Sequence, residues 1–387
     1  MPTFETVNLT SEKSAVVIEI GSTYTKCGFA GENAPRCIVA SKAKIQDSGE
    51  EKLITSYKDE EDLYNLLLHF IHYLYFKHLL VSPKDRRVVI VESVLCPTLF
   101  RETLAKVLFH HYEVLSLLFV PSHLVSLYTL GASTAVVVDM GYKETVVIPV
   151  YEGFTVLKAW QAQPLAGELV ERELLKKLMA DEGSGDSASH PKEESIDEGV
   201  VENIKVRTCF VTTLERSQKI EEIVHPPPVD YSLNGDKFIK IDGKTRESAY
   251  ESMFIMDDDE ISVPTMILDA LLKCPVDTRK ALAENLLIIG GTSMALGMRS
   301  RLLSELKNLI NSPKYVDKLP LKSFKFHNPP AKGNFVSWLG GAIVGATEMV
   351  VSRSLTKDVY QKQKCLPDWV NLAFNNNYEL KHKYFSG

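Results

Sequence analysis

Residues 14–31 read SAVVIEIGSTYTKCGFAG, which is an apolar run, a short turn and a second run that ends in GFAG. The first run, residues 15–20, is short, β-branched and nearly continuous, and such a run is typical of a buried strand. Small and polar residues form the turn from Gly21 to Tyr24, and the return strand closes between Gly28 and Gly31. The stretch therefore predicts a β-hairpin.

The tip of this hairpin carries groups that suit a phosphate. Glu19 stands two residues before Gly21, the turn offers hydroxyl groups, and Lys26 follows. Backbone N–H groups and a hydroxyl at such a tip bind phosphate oxygens, and a lysine adds positive charge. A plain structural hairpin explains the same residues, because a phosphate motif counts only in its structural context. Both interpretations stay open on this stretch alone.

The bulk composition is that of a soluble globular protein. The 387 residues are enough for two or three domains. A net charge of −6 without a long Lys/Arg cluster gives no support for binding to nucleic acid or to an anionic membrane. No uninterrupted run reaches the roughly 18 apolar residues of a membrane-spanning helix, so we expect no membrane insertion. The six cysteines are scattered without a C-x-x-C pair, which predicts buried free thiols in a reducing compartment.

Helical and strand patterns alternate in the first third of the chain. We expect helices over residues 61–80, 98–112 and 122–130, and strands over residues 87–95 and 115–120. Strands that alternate with helices predict an α/β sheet. Residues 41–56 are polar and predict a loop, as do residues 181–199, and the tail from residue 362 is polar and irregular.

The opening pattern returns at residues 135–150, where two apolar runs flank a tip that begins at Gly141. Asp139 stands two residues before Gly141, as Glu19 does before Gly21. A duplicated α/β unit that holds a ligand between its halves accounts for this echo.

A third glycine motif lies at residues 286–294, LLIIGGTSM. An apolar strand runs into Gly290 and Gly291, and Thr292 is suited to begin a helix. The glycine pair allows a ligand ring or phosphate to approach the backbone closely. Tight packing of the strand against the helix explains it equally well.

These motifs, in this order, resemble the actin fold, and the resemblance covers nearly the whole chain. The resembling segments are residues 20–36, 126–153, 290–294 and 338–341. The resemblance implies an α/β protein of two similar halves that form a nucleotide cleft, with ATP and Mg²⁺ bound. The implied parts are subdomain 1 (1–40, 57–129 and 331–387), a truncated subdomain 2 (41–56), subdomain 3 (130–165 and 260–330) and subdomain 4 (166–259).

The resemblance also implies the site residues. The implied nucleotide contacts are Gly21, Ser22, Thr23, Tyr24, Lys26, Asp139, Gly141, Tyr142, Lys143, Lys205, Gly290, Gly291, Thr292 and Met294. Glu19 and Asp139 are expected to hold Mg²⁺ through water. Tyr142 and Lys143 depart from the family pattern, which has Asp-Gly there.

No catalytic residue is implied. Hydrolysis needs a water oriented in line with the γ-phosphate and a route for its proton, for which actin uses a glutamine and a histidine. Ser122 and Val146 stand at the matching positions. His123 is adjacent and is either a substitute or an ordinary structural histidine. We therefore expect bound ATP with little turnover.

A deletion points to the same conclusion. From Glu19 to Glu92 the chain is about two dozen residues shorter than the matching span of actin, by motif alignment, and the loss falls in residues 41–56. In the family this region carries a loop that inserts into the next subunit at the pointed end. An ordinary interface needs about 800 Å² per partner, and loss of the inserted loop is expected to bring the pointed-end interface below that area. A subunit without the loop is therefore expected to terminate a filament.

Five further segments resemble the actin-related proteins of the dynactin pointed end, namely residues 91–97, 100–104, 121–124, 207–211 and 328–332. The resemblance implies a cytoplasmic, cytoskeletal cap on a short filament of actin-like protein and actin. Its other partners would be the remaining pointed-end proteins and, indirectly, dynein. Two alternatives stay open, since a shared fold does not fix function: an active actin-like ATPase, and an actin-related subunit of a nuclear chromatin complex.

Overall fold

The computed structural model describes residues 13–44, 49–180, 198–234, 237–363 and 365–367. Most of the polar loop predicted at 181–199 and most of the predicted tail lie outside these residues. The chain divides into two compact units: unit 1 comprises Met1–Thr129 and Ser337–Gly387, and unit 2 comprises Leu130–Val336. The finer division into four subdomains stays a prediction.

The strands are, in chain order, β1 (Val16–Ile20), β2 (Tyr24–Phe29), β3 (Cys37–Ala40), β4 (Lys42–Lys44), β5 (Glu51–Leu53), β6 (Arg87–Glu92), β7 (Ser116–Pro121), β8 (Ala135–Met140), β9 (Thr145–Tyr151), β10 (Phe154–Thr155), β11 (Gln161–Gln163), β12 (Val229–Asn234), β13 (Lys237–Ile241), β14 (Leu286–Ile289) and β15 (Leu355–Thr356). The α-helices are α1 (Glu60–Tyr73), α2 (Thr98–Lys106), α3 (Ser122–Tyr128), α4 (Gly167–Ala180), α5 (Glu198–Thr208), α6 (Leu214–Ser217), α7 (Gly243–Ser248), α8 (Val263–Lys273), α9 (Arg279–Ala283), α10 (Met298–Leu309), α11 (Val336–Gly345), α12 (Met349–Ser352) and α13 (Lys357–Gln363).

Unit 1 is built on a six-stranded sheet in the order β15-β7-β6-β1-β2-β3. Strand β1 pairs with β2 in antiparallel fashion and with β6 in parallel fashion, so the predicted hairpin is present inside an α/β sheet. The core on one face of the sheet takes its apolar side chains from β1 and from the helices α1 and α2. The Asp59 side chain accepts a hydrogen bond from the Asp62 backbone N–H and so caps the start of α1.

Unit 2 repeats this arrangement. Strand β8 pairs with β9 in antiparallel fashion and with β14 in parallel fashion, within a sheet that runs β10-β9-β8-β14. Each unit therefore contains a hairpin whose first strand is flanked by a parallel neighbour. This shared topology confirms the duplicated α/β unit predicted from the echo of the two glycine tips.

Two predicted helices end earlier than their patterns indicate. Helix α1 stops at Tyr73, and Leu74–Leu79 forms a π-helical turn in which the Tyr75 carbonyl accepts from the Leu80 N–H. Helix α2 likewise gives way to a π-helical turn at Val107–His111. Both turns continue the apolar face of the helix before them, so periodicity alone cannot separate them from an α-helix.

The predicted loop over residues 41–56 contains a short hairpin instead, made of β4 and β5. Ala43 and Ile54 are buried in the core of unit 1, and Lys52 Nζ lies 2.6 Å from Asp62 Oδ2 at the start of α1. Residues 45–48 lie outside the described part. Strands of three residues are too short to show the alternation that predicts a strand, and only Ala43 of β4 is buried in either of them.

Candidate functional site

The tip between β1 and β2 is a tight turn held by a serine. The Gly21 N–H donates to the Tyr24 carbonyl at 3.1 Å, and a Cβ atom at Gly21 would lie only 2.7 Å from that oxygen. Ser41 Oγ donates to the Gly21 carbonyl at 2.7 Å, and the Ser41 N–H donates to the Thr23 carbonyl at 2.8 Å. Ser41 therefore fixes the peptide planes of the tip from the residue directly after β3.

Glu19 and Lys26 face each other across the same hairpin. Lys26 Nζ donates to Glu19 Oε1 at 2.8 Å, and the two side chains are 12% and 18% exposed, with Lys26 the more buried. The other carboxylate oxygen, Glu19 Oε2, is buried and has no hydrogen-bond partner among the described residues. A buried, unmatched carboxylate oxygen suits a water molecule of a Mg²⁺ hydration shell.

The tip between β8 and β9 repeats this geometry. The Gly141 N–H donates to the Glu144 carbonyl at 3.0 Å, and a Cβ atom at Gly141 would lie 3.1 Å from that oxygen. Thr292 Oγ1 donates to the Gly141 carbonyl at 2.6 Å. In each unit, then, a hydroxyl from elsewhere in the chain holds the carbonyl of the tip glycine.

The two glycines of the pair differ in their surroundings: Gly290 is explained by close packing, and Gly291 by room for a ligand. Gly290 has a φ of +90°, and a Cβ atom there would lie 2.3 Å from the Met140 carbonyl oxygen and 2.8 Å from Asp139 Oδ1. Packing against β8 therefore demands glycine at this position. Apart from its two chain neighbours, no described residue has an atom within 4 Å of the Cβ position of Gly291, which is exposed and leaves room for a ligand.

A buried polar cluster lies beside the second tip. Lys205 Nζ on α5 donates to Glu171 Oε1 on α4 at 2.5 Å, and the Tyr142 hydroxyl donates to Glu171 Oε2 at 2.9 Å. The side chains of Lys205 and Glu171 are each 10% exposed. A Cβ atom at Gly167, where α4 begins, would lie 3.3 Å from the Tyr142 ring and 3.0 Å from Thr292 Oγ1.

Three of these residues were missing from the predicted site: Ser41, Gly167 and Glu171. Glu171 stands four residues after Gly167, about one turn into α4, and this spacing was the one sequence feature that could have indicated a side chain near the second tip. Lys143, by contrast, is exposed at the tip, next to Glu144, whose pKa is raised by burial.

The residues at the positions predicted to match the hydrolytic residues of actin are buried. Val146 is the second residue of β9 and is 4% exposed, and Ser122 begins α3 and is 8% exposed. His123 is 1% exposed, and burial lowers its pKa to about 4, so its ring is neutral at pH 7. This enclosure favours the structural interpretation of His123.

Each tip is preceded by a carboxylate of the kind that Mg²⁺ binds through water, Glu19 in unit 1 and Asp139 in unit 2. In the described ranges no group of three His, Cys, Asp or Glu side chains comes together to form a metal site. The six cysteines are free thiols. Of the helices the structure describes, none combines the length and apolar character needed to cross a bilayer.

Comparison with known proteins identifies the family of the chain. The sequence profile of the actin family matches residues 58–371. The chain is 28% identical to Actin-related protein 10 of Dictyostelium discoideum over 436 aligned positions, which cover 95% of this chain and 91% of that protein. It is 27% identical to Actin-related protein 2 of Acanthamoeba castellanii over 391 positions, which cover 92% of this chain and 98% of that protein. The predicted resemblance and the actin-like α/β fold are thereby confirmed, and the chain belongs to the actin family.

Proposed function

We propose that this chain is a structural actin-related subunit that caps the pointed end of the actin-like filament of dynactin and so supports dynein-driven transport along microtubules. Its similarity to Actin-related protein 10 of Dictyostelium discoideum supports this class of protein. The proposal includes ATP binding with little or no hydrolysis, and a place in the cytoplasmic cytoskeleton.

The observation that carries the proposal is the reduced segment at residues 41–56. Its strands β4 and β5 have three residues each, and Ala43 and Ile54 are buried in the core of unit 1. Lys52 is paired with Asp62 of α1. Because Ala43 and Ile54 pack inward, they offer no surface to an incoming subunit. A stable interface buries about 800 Å² per partner, and we infer that this short segment does not supply it.

A subunit of this kind joins a filament by one face and ends growth at the other. We propose that the first face contacts the actin-like and actin subunits of the dynactin filament. The other pointed-end proteins would cover the second face, and dynein would be connected only indirectly. The four-subdomain division, with residues 41–56 as the truncated second part, belongs to the same proposal.

The nucleotide part of the proposal rests on the two tips. ATP would contact residues of both units. In unit 1 these are Gly21–Tyr24 and Lys26, and in unit 2 they are Asp139, Gly141–Lys143, Lys205, Gly290, Gly291, Thr292 and Met294. Glu19 and Asp139 would hold Mg²⁺ through water, and the cation would neutralise phosphate charge. Turnover is expected to be low because Val146 carries no proton chemistry and the neutral ring of His123 is enclosed.

The decisive experiment measures subunit exchange at filament ends. Short filaments of actin-like protein with blocked barbed ends are mixed with the purified full-length chain, and loss of subunits from the pointed ends is followed by fluorescence. We expect one copy per end and slower loss. Growth of the pure chain into fibres would overturn the proposal.

Two further measurements separate the alternatives. Phosphate release comparable to that of filamentous actin would favour the ATPase. Copurification with chromatin proteins instead of cytoskeletal partners would favour the nuclear complex. Chromatography of nucleotide extracted from the purified chain tests ATP binding directly.

A further inference from the structure

Two cysteines of unit 1 lie directly opposite each other on neighbouring strands. Cys27 of β2 and Cys37 of β3 are partners in the antiparallel register. Opposed residues in such a pair have Cα atoms about 4.5–5.5 Å apart, which falls inside the range of about 4.4–6.8 Å that a disulfide spans. Their backbones are therefore placed for a cross-link without rearrangement.

The side chains of both cysteines are on the same face of the sheet. Cys27 belongs to the buried core of unit 1, and Cys37 packs against that core as a partly buried neighbour. Cys37 Sγ donates to the Cys27 carbonyl oxygen at 3.8 Å, and each thiol shifts the pKa of the other. The two thiol side chains are therefore neighbours on one face of the sheet, as bond formation requires.

The two thiols differ in access and in acidity. Strand β3 is an edge strand of its sheet and Cys37 is half-buried, whereas Cys27 is fully buried. The hydrogen bond from Cys27 lowers the pKa of Cys37, and burial raises the pKa of Cys27. Because the thiolate is the reactive form, a small oxidant is expected to react at Cys37 first.

We propose that Cys27 and Cys37 form a reversible dithiol–disulfide pair in which Cys37 reacts with hydrogen peroxide and Cys27 resolves the product. The Cys37 thiolate attacks one peroxide oxygen, the O–O bond breaks, and the released hydroxide takes a proton to become water. Cys37 is left as a sulfenic acid. The sulfur of Cys27 then attacks the sulfur of Cys37, the S–O bond breaks, and the thiol proton leaves with the hydroxyl group as a second water. Two thiols are oxidised and one peroxide is reduced; a dithiol reductant reverses the change.

The remaining thiols lack this arrangement. Cys209 is buried and Cys96 is half-buried, and burial raises the pKa of each. The bond would link β2 to the strand that precedes Ser41, the residue that holds the Gly21 carbonyl. The pair therefore lies at the base of the candidate phosphate tip, although its chemistry does not depend on a nucleotide.

The experiment uses the full-length native chain, treated with dilute hydrogen peroxide and then with a reagent that blocks remaining thiols. Digestion without reductant and mass spectrometry should give a peptide linked through Cys27 and Cys37, about 2 Da lighter than the sum of its reduced parts. Dithiothreitol should restore the separate peptides. The Cys365→Ser variant is the matched control, since Cys365 is half-buried as well, and it should keep the link.

Two variants test the order of events. Cys27→Ser should accumulate sulfenic acid at Cys37, detected as a dimedone adduct, and Cys37→Ser should give neither adduct nor link. Links from Cys27 or Cys37 to other cysteines would overturn the proposal. So would oxidation of Cys37 to sulfinic acid in the wild type without a link, or modification of Cys365 while Cys37 stays reduced. Because Cys27 is buried and its replacement can impair folding, the wild-type linkage result decides the proposal by itself.

Discussion

Lys26 Nζ donates to Glu19 Oε1 at 2.8 Å across the β1–β2 hairpin, so the acid and the base predicted for a cation and a phosphate are held by each other. One carboxylate oxygen is taken by the lysine, and Glu19 Oε2 is left without a partner among the described residues. The lysine thus positions the carboxylate, in addition to any role it has toward a phosphate.

Replacing Lys26 with methionine should destabilise the chain, because it leaves a largely buried carboxylate without its cation. Breaking a buried pair costs about 3–5 kcal/mol, and the residual exposure of both groups places the loss near the lower figure. Urea unfolding measures the change. Lys143→Met, an exposed lysine at the other tip, is the matched control and should change the free energy of unfolding by less than about 0.5 kcal/mol.

Mg²⁺ with ATP should restore part of the stability lost in Lys26→Met, since the cation would compensate the negative charge of Glu19 in place of the lysine. This follows from stabilisation by a ligand that binds only the folded state. If Mg²⁺ and ATP raise the free energy of unfolding equally in the wild type and the variant, Glu19 does not contribute to the cation site.

His123 should make stability depend on pH below neutrality. Its folded pKa of about 4 lies below the ordinary value near 6.5, because burial disfavours the charged ring. Between these values the unfolded chain binds a proton that the folded chain does not, so stability falls as the pH is lowered. The full effect is about 3 kcal/mol, and it vanishes above about pH 6.5. His123→Gln should flatten this part of the stability curve, whereas His72→Gln, an exposed histidine of α1, should leave it unchanged. An unchanged slope in His123→Gln would contradict the prediction.

The glycine pair offers a test with its own internal control. Gly290→Ala should cost about 3 kcal/mol or more, because the residue has a positive φ and the new Cβ atom would press on the Met140 carbonyl. Gly291→Ala should leave the melting temperature nearly unchanged, since no described residue beyond its chain neighbours lies near its Cβ position. If this open face receives the nucleotide, Gly291→Ala should retain less nucleotide after purification, as measured by chromatography. Full retention would remove Gly291 from the proposed contacts.

The local sequence pattern predicted both hairpins and their repetition, because two apolar runs on either side of a glycine-containing turn are typical of paired strands. The antiparallel pairs β1–β2 and β8–β9 agree with the predictions for residues 14–31 and 135–150. The short hairpin of β4 and β5 was predicted as a loop, because each strand buries too little apolar surface to mark its sequence.

Contacts between distant residues were beyond reach. Nothing in the sequence pairs Glu171 with Lys205, which are 34 residues apart on two helices. Ser41 is 20 residues from Gly21 and meets its carbonyl only because β3 pairs with β2. The sequence shows which residues carry charge or hydroxyl groups, whereas the fold decides which partner each of them meets.

The cluster of Tyr142, Glu171 and Lys205 is best tested by a double-mutant cycle. Lys205→Met leaves the buried Glu171 carboxylate uncompensated and should lower the free energy of unfolding by about 3–5 kcal/mol. Adding Glu171→Leu should recover much of that loss, because a buried ion pair replaced by apolar side chains is often nearly neutral. Tyr142→Phe removes one hydrogen bond and should cost about 1 kcal/mol in the wild type but almost nothing once Glu171 is absent. Strictly additive losses in urea unfolding would show that the three side chains act independently, and the cluster would then not be a single unit that holds the second tip.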